Sequence, residues 1–335
     1  MRQLQPRDHS VVQASRQTAA LFGRDDLQAL VVTGRDRLKF LHNMLTQDVH
    51  ALASGGTALA CLCDAQGAVL ATMRLVVAED RIVAWVPRRQ VAALQETLDK
   101  FIIADDVELT LDDDLACLEL VGPLTQDFES KALIAAPSAV TWSAEAGGGE
   151  LSPWGPAQPA HWIQLPRDLM GDVAGALIDA GATAGSHAAR EALRIAEGSA
   201  VLGDDIDDGS LPIEFGLHAA VSFKKGCYVG QEAIAMMTYR GQIRRHLCWV
   251  VSAGPPWPDA GWQLRTIDGK RAGRMGSSVR DADGRWLGLA MVQRKAYVRG
   301  GELVAIDGER SCPITVVSAT VAGVLDPKVA AAEAS

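Results

Sequence analysis

The chain has 335 residues, 48% hydrophobic and 22% charged, with a formal net charge of −9. That is the balance of a soluble globular protein with a sizeable core and, at this length, two or three domains. No apolar run approaches the ~20 residues that span a bilayer, the start Met1-Arg2-Gln3-Leu4-Gln5-Pro6-Arg7-Asp8 has no apolar signal core, and the acidity argues against bulk nucleic-acid binding; a cytoplasmic monomer without membrane contact is expected.

Residues 1–27 read as a lead-in with one short helix, and Leu30-Val31-Val32 as a brief strand. Gly34 opens a helix with Leu38, Leu41 and Leu45 on one face. From 57 to 86 the pattern is antiparallel: Thr57 to Cys63, a turn at Asp64-Ala65-Gln66-Gly67, Val69 to Val77, a turn at Glu79-Asp80, then Ile82 to Val86. Pro87 precedes a helix with Val91, Leu94, Leu98 and Phe101 on one face. Strands follow at Val107 to Leu111 and Leu115 to Val121, then a helix from Thr125 to Leu133. Gly147-Gly148-Gly149 and the prolines at 153, 156 and 159 read as an excursion loop, and Trp162 to Leu165 as a strand. Asp168 is placed to cap a helix carrying Leu169, Val173 and Leu177, ended by Gly181. Ser186 is placed to cap the next, with Ala189, Leu193 and Ala196 on one face, stopped by Gly198. The acid run Gly203-Asp204-Asp205-Ile206-Asp207-Asp208-Gly209 lacks the ligand spacing of a calcium loop and reads as a solvated loop. Beyond Ile243, short apolar runs recur every ten to fifteen residues between prolines and glycines, the rhythm of a small β-barrel or sandwich. An Ala-rich tail begins near Lys328.

The most distinctive stretch is Phe223-Lys224-Lys225-Gly226-Cys227-Tyr228-Val229-Gly230-Gln231-Glu232. Gly226 and Gly230 suggest a sharp turn or a close approach to a ligand. Neighbouring ammonium groups favour the thiolate of Cys227, the reactive form of cysteine. Cys227 and Lys225 are therefore candidate catalytic groups; the plainer reading has Cys227 packing at a pocket wall and Lys225 meeting an anion. The six cysteines (61, 63, 117, 227, 248 and 312) show no zinc or cluster spacing, so no metal site is expected. Lys224, Lys225, Arg240, Arg244 and Arg245 form a basic cluster, readable as a transient RNA contact or as solvated surface.

The run Lys225 to Glu232 resembles the signature of the YgfZ family, folate-binding proteins related to the glycine-cleavage aminomethyltransferases (T-proteins). Thr238-Tyr239-Arg240-Gly241 and Ile243-Arg244-Arg245 continue the resemblance. So do Phe40-Leu41-His42-Asn43-Met44-Leu45-Thr46-Gln47-Asp48-Val49, Cys63 to Gly67, Lys100 to Val107, and Pro212-Ile213-Glu214. The resemblance implies an α+β fold: two interleaved, ferredoxin-like α+β portions and a C-terminal antiparallel β-barrel around a central opening. It places the first portion at 1–50 and 115–240, the second at 51–114 and the barrel at 241–325. It further implies tetrahydrofolate or a derivative as ligand, and support for iron–sulfur assembly or repair and for iron–sulfur-dependent tRNA modification. Iron–sulfur enzymes or assembly proteins are the implied partners. Met44, Thr46, Asp48, Arg74, Glu214, Lys225, Gly226, Tyr228, Gly230, Gln231, Glu232 and Arg240 are the implied binding residues.

The departures from the T-protein pattern fall at charged positions: two acids, and the Arg of its Gly-Arg-Glu, which is Gln231 in Gly230-Gln231-Glu232 here. Trp85-Val86-Pro87-Arg88-Arg89-Gln90-Val91 lacks an Asp that T-proteins carry there. Arg194-Ile195-Ala196-Glu197-Gly198 has Ala196 where they carry Glu, and Glu197, ~100° round the helix, is not expected to replace it. An accessory folate binder is thus expected ahead of a folate-dependent aminomethyltransferase.

Overall fold

The structure, a computed structural model, describes residues 2–136, 138–144, 159–240, 243–252, 254–280 and 285–320. The expected excursion loop from Gly147 to Pro156 and the Ala-rich tail lie outside the described residues.

The first sheet is antiparallel, in the order Thr57–Cys63, Val69–Val77, Ile82–Pro87, Leu27–Thr33, Glu108–Asp112. Its first hairpin turns where the sequence predicts. Asp64 Oδ1 accepts from the backbone N–H groups of Gln66 (2.9 Å) and Ala68 (2.8 Å), a side-chain turn that short acidic residues favour. Helices Arg37–Met44 and Arg88–Asp99 cover one face, burying Leu41, Met44, Leu94 and Leu98 against Leu30, Leu62 and Leu75. The second of these helices stops at Asp99, so Phe101, expected on its buried face, is exposed.

The second sheet runs Thr183–Ala184, Ala20–Gly23, Leu115–Val121, Ala160–Pro166, Val140–Ala144; the first pair is parallel and the rest antiparallel. Helices Thr125–Ala135 and Met170–Asp179 cover its outer face. Asp168 makes no capping bond, because a short 3₁₀ turn, Arg167–Leu169, precedes the Met170–Asp179 helix. Ser186 does cap His187–Glu197, accepting from the Ala189 N–H at 3.1 Å, and Gly198 ends that helix at φ +72°. The two sheets meet through Leu27, Ala29, Val31, Val83 and Trp85 on one side and Cys117, Trp142 and Trp162 on the other. The early chain is divided between them. Ala20–Gly23, a strand the sequence did not announce, joins the second sheet, whereas Leu27–Thr33 joins the first. Sheet membership thus changes near residue 25, not at residue 50.

From Arg245 the chain forms a closed six-stranded antiparallel barrel: Arg271–Arg280, Gln263–Arg265, Glu302–Asp307, Arg310–Ala319, Arg245–Ser252, Trp286–Gln293, and back to Arg271–Arg280. Closure leaves no unpaired edge, and Trp262, Met275 and Trp286 fill the interior. A separate core, with Ile195, Phe215, Tyr228 and Trp249, joins the barrel to the remainder, and Trp249 Nε1 donates to the Ile195 carbonyl at 2.9 Å. Among the described residues, no helix is long and apolar enough to cross a membrane.

Candidate functional site

Between the two sheets and helix His187–Glu197 lies a cavity of about 250 Å³. The first sheet contributes Arg74 and Trp85, the second Glu119 and Trp162, the helix Arg190, Arg194 and Glu197, and the segment before Leu27 contributes Arg24. Arg190, Arg194 and Glu197 follow one another by four and three residues, so one helical face turns to the cavity. The opposite face, with Ala189, Ala192 and Ala196, is buried. Ala196, which the resemblance aligns with the T-protein Glu, packs into the core, while its neighbour Glu197 reaches the cavity wall.

The wall is strongly charged. Glu119, 1% exposed, accepts from Arg24 at 2.7 Å and from Arg190 at 2.7 and 2.9 Å. Burial alone would raise its pKa; the two arginines outweigh burial and hold it below the usual carboxylate range. Glu197 has a weaker partner, Arg190 at 3.4 Å, and burial pushes its carboxyl up to about 7. Arg24 and Arg74 lie over the Trp162 ring at 4.8 and 5.3 Å from its centroid, within cation–π range. Among the described residues no carboxylate pairs with Arg74, and burial lowers its pKa. Trp85 is fixed by donating Nε1–H to Gln164 at 2.9 Å. Arg194 points back into the structure, to Asp205 at 2.7 Å. Asp205 also accepts from the N–H groups of Val201 (2.9 Å) and Ser277 (2.6 Å). The acid run expected to be a solvated loop is therefore pinned by Asp205.

The stretch 223–230 is a loop strapped to the end of helix Arg37–Met44. Ser222 N–H donates to the Thr46 carbonyl (2.9 Å), Thr46 Oγ1–H to the Ala220 carbonyl (2.5 Å) and Gln47 Nε2 to the Ala219 carbonyl (2.9 Å). Lys225, 8% exposed, donates to the carbonyls of Leu45 (2.6 Å), Gln47 (3.0 Å) and His42. Its ammonium thus completes the helix C-terminus, where carbonyls lack partners, with all three hydrogen bonds going to backbone carbonyls. Burial lowers its pKa to about 8, with Asp48 acting the other way. Cys227 is exposed, and the other five cysteines are buried.

The remaining expected residues divide by what they touch. Of them, Arg74 lines the cavity described above. Met44 packs in the core of the first sheet, and Thr46 also accepts from the Cys61 N–H at 2.9 Å. Asp48 accepts from the Ala51 N–H at 3.2 Å and stands 3.2 Å from His42 Nδ1. Glu214 is buried against Arg245 at 2.9 Å. Tyr228 is buried beside Cys61 and Cys63, its pKa pushed up to about 12 by burial, with the Lys225 ammonium 4.8 Å from its ring centroid. Gly226 has open space around it. Gly230, at φ +82°, lies against the Asp64–Gly67 turn. Gln231 and exposed Glu232 open helix Gln231–Arg240; the Arg240 side chain lies outside the described residues. Trp162, Glu119, Arg190 and Arg24 were missed. They sit on separate strands and helices, and no local spacing marks them. Among the described residues, no group of three His, Cys, Asp or Glu side chains could hold a metal ion.

Two face-packed sheets, a closed barrel and a charged cavity between them define an aminomethyltransferase-like fold. The solved structure of the glycine cleavage system aminomethyltransferase T from Bartonella henselae is similar, with a TM-score of 0.77, 20% identity, and coverage of 93% of this chain and 88% of that one. Residues 3–142 match the GCVT N-terminal domain family. The tRNA-modifying protein YgfZ of Edwardsiella ictaluri (strain 93-146) is 30% identical over 266 residues, 78% of this chain and 80% of its own length. The tRNA-modifying protein YgfZ of Klebsiella pneumoniae (strain 342) is 30% identical over 284 residues, 82% and 85% of the two chains. The chain belongs to the YgfZ family.

Proposed function

We propose that this chain binds a reduced folate, tetrahydrofolate or a derivative, in the cavity between the sheets. It serves as a cytoplasmic accessory protein for iron–sulfur assembly or repair, and through that for iron–sulfur-dependent tRNA modification. The observation that carries the folate half is the wall itself. A flat heterocycle with a donor edge and an anionic tail calls for an aromatic-lined pocket, a carboxylate and an arginine. Trp85, Trp162, Glu197 and Arg74 supply that set. Family membership supports the link to tRNA modification, for which the relatives are named.

Titration with tetrahydrofolate, followed through the tryptophan fluorescence of the cavity wall, tests the reading. Saturable quenching is expected, weakened at least tenfold in Arg74→Ala, about the effect of one charged hydrogen bond. Absence of wild-type binding sinks the proposal. The position of Glu197, with a carboxyl at about 7, favours keeping folate-dependent aminomethyl transfer as a second reading. The two separate by turnover: the transferase consumes an aminomethyl donor with tetrahydrofolate, and the accessory protein binds the folate without consuming either.

A further inference from the structure

The basic residues near the signature do not act together as their sequence proximity suggests. Lys225 is committed to carbonyls, and Arg245 to Glu214 at 2.9 Å and Asp207 at 3.7 Å. Arg244 instead joins cations from distant sequence. A groove of about 580 Å³ lies where helix Gln231–Arg240 meets the barrel, with Met237 and Ile243 among its lining. Its charged residues are Arg244, Arg245, Arg271, Arg294, Lys295 and Glu214: five cations and one carboxylate, which Arg245 already holds. The barrel imposes this arrangement. Arg245 pairs with Gln293 across one strand pair, and Gly273 with Val292 across the next. The Arg294 N–H donates to the Arg244 carbonyl at 2.9 Å. Among the described residues, no carboxylate pairs with Arg244, Arg271 or Lys295.

We infer that this groove binds the phosphate backbone of RNA. The local excess of positive charge stands out in a chain of net charge −9, where an unselected surface would be acidic. The cations lie on or just beyond the ends of three neighbouring strands, Arg245–Ser252, Trp286–Gln293 and Arg271–Arg280, each ~4.8 Å from the next, so the row extends roughly 10 Å and exceeds one phosphate. A polyanion with regularly repeated charges fits this row. The groove is separate from the folate cavity and shares no lining residue with it, so the inference does not rest on the folate reading.

The test is binding of fluorescently labelled, unfractionated tRNA by the full chain across a salt series. Arg244, Arg271 and Lys295 are changed together to Ala. The comparison variant changes three exposed cations elsewhere, Arg35, Lys100 and Arg310, giving the same change in net charge. Losing three phosphate contacts is expected to weaken binding about tenfold or more and to lower the slope of log affinity against log salt by about two to three. The comparison variant is expected to bind like wild type. Absence of wild-type binding, equal weakening by both variants, or full displacement of tRNA by low-millimolar inorganic phosphate each overturns the inference. An unchanged melting temperature and tetrahydrofolate titration in the groove variant shows that fold and cavity are intact.

Discussion

The Lys225 ammonium lies 2.6 Å from the carbonyl oxygen of Leu45, 180 residues earlier in the chain. With the Gln47 and His42 carbonyls it closes a helix end and pins the signature loop to the first sheet's helical layer. Replacing Lys225 with Met leaves those acceptors without their donor. Hydrogen bonds to charged groups contribute ~1.5–3 kcal/mol each, and partial rehydration returns some of this, so a net loss of about 2–3 kcal/mol is expected. Urea unfolding checks it: the midpoint falls while the slope stays constant. A variant with wild-type stability and altered only in folate affinity would place the role of Lys225 at the ligand.

The two signature glycines make a paired prediction. Gly230 sits at φ +82°, and a Cβ there would stand 2.4 Å from the Asp64 carbonyl oxygen and 2.7 Å from the Gly67 Cα, both backbone atoms that cannot swing aside. Gly226 has nothing within 4 Å of the corresponding position. Gly230→Ala is expected to cost about 2 kcal/mol or more, and Gly226→Ala to stay within ~0.5 kcal/mol of wild type. Thermal melts of the two variants side by side decide it, and equal effects would refute the close approach of the two turns.

These residues show how far the sequence carries. The barrel was legible because each strand announces itself locally, as a short apolar run between turn residues. The Asp64–Gly67 hairpin was legible for the same reason. The signature and the motifs around it stood out too, yet their best-defined contacts are structural: Lys225 on carbonyls, Thr46 on the Ala220 carbonyl, Glu214 on Arg245. The cavity wall was opaque. Arg24, Glu119, Trp162 and Arg190 come together only through the packing of two sheets and a helix, and each alone reads as an ordinary strand or helix residue. Glu197 was opaque too: a one-residue rotation against the T-protein pattern does not say which helical face the core occupies, and only the packing turns Glu197 to the cavity.

Thiol accessibility gives the third prediction. Cys227 is exposed, while Cys61, Cys63, Cys117, Cys248 and Cys312 are buried. Burial pushes the Cys61 thiol up to about 12 and also raises those of Cys63 and Cys117, which further suppresses their thiolates. A disulfide reagent applied to the native protein is expected to modify one thiol rapidly, and all six after denaturation. Cys227→Ala removes the fast phase. A second fast thiol in that variant would contradict the packing around the buried set.

The fourth prediction concerns pH and Glu197. Burial raises its carboxyl to about 7, from an ordinary 4.5 in the unfolded chain, against the opposing pull of Arg190. Between those two values the folded protein holds a proton that the unfolded chain has released. Stability contributed by this group is therefore fully present below pH 4.5 and is lost as pH rises through 7. Glu197→Gln carries no titrating proton at this position, so its stability relative to wild type should grow across that window. The shift corresponds to at most ~3.5 kcal/mol, from ~1.4 kcal/mol per pKa unit. Melting temperatures of both proteins, taken in steps from pH 5 to 8, give the difference directly. A difference that does not change with pH would mean that Arg190, 3.4 Å away, keeps Glu197 ionised throughout, and the cavity would then hold a fixed negative charge where a proton donor is expected.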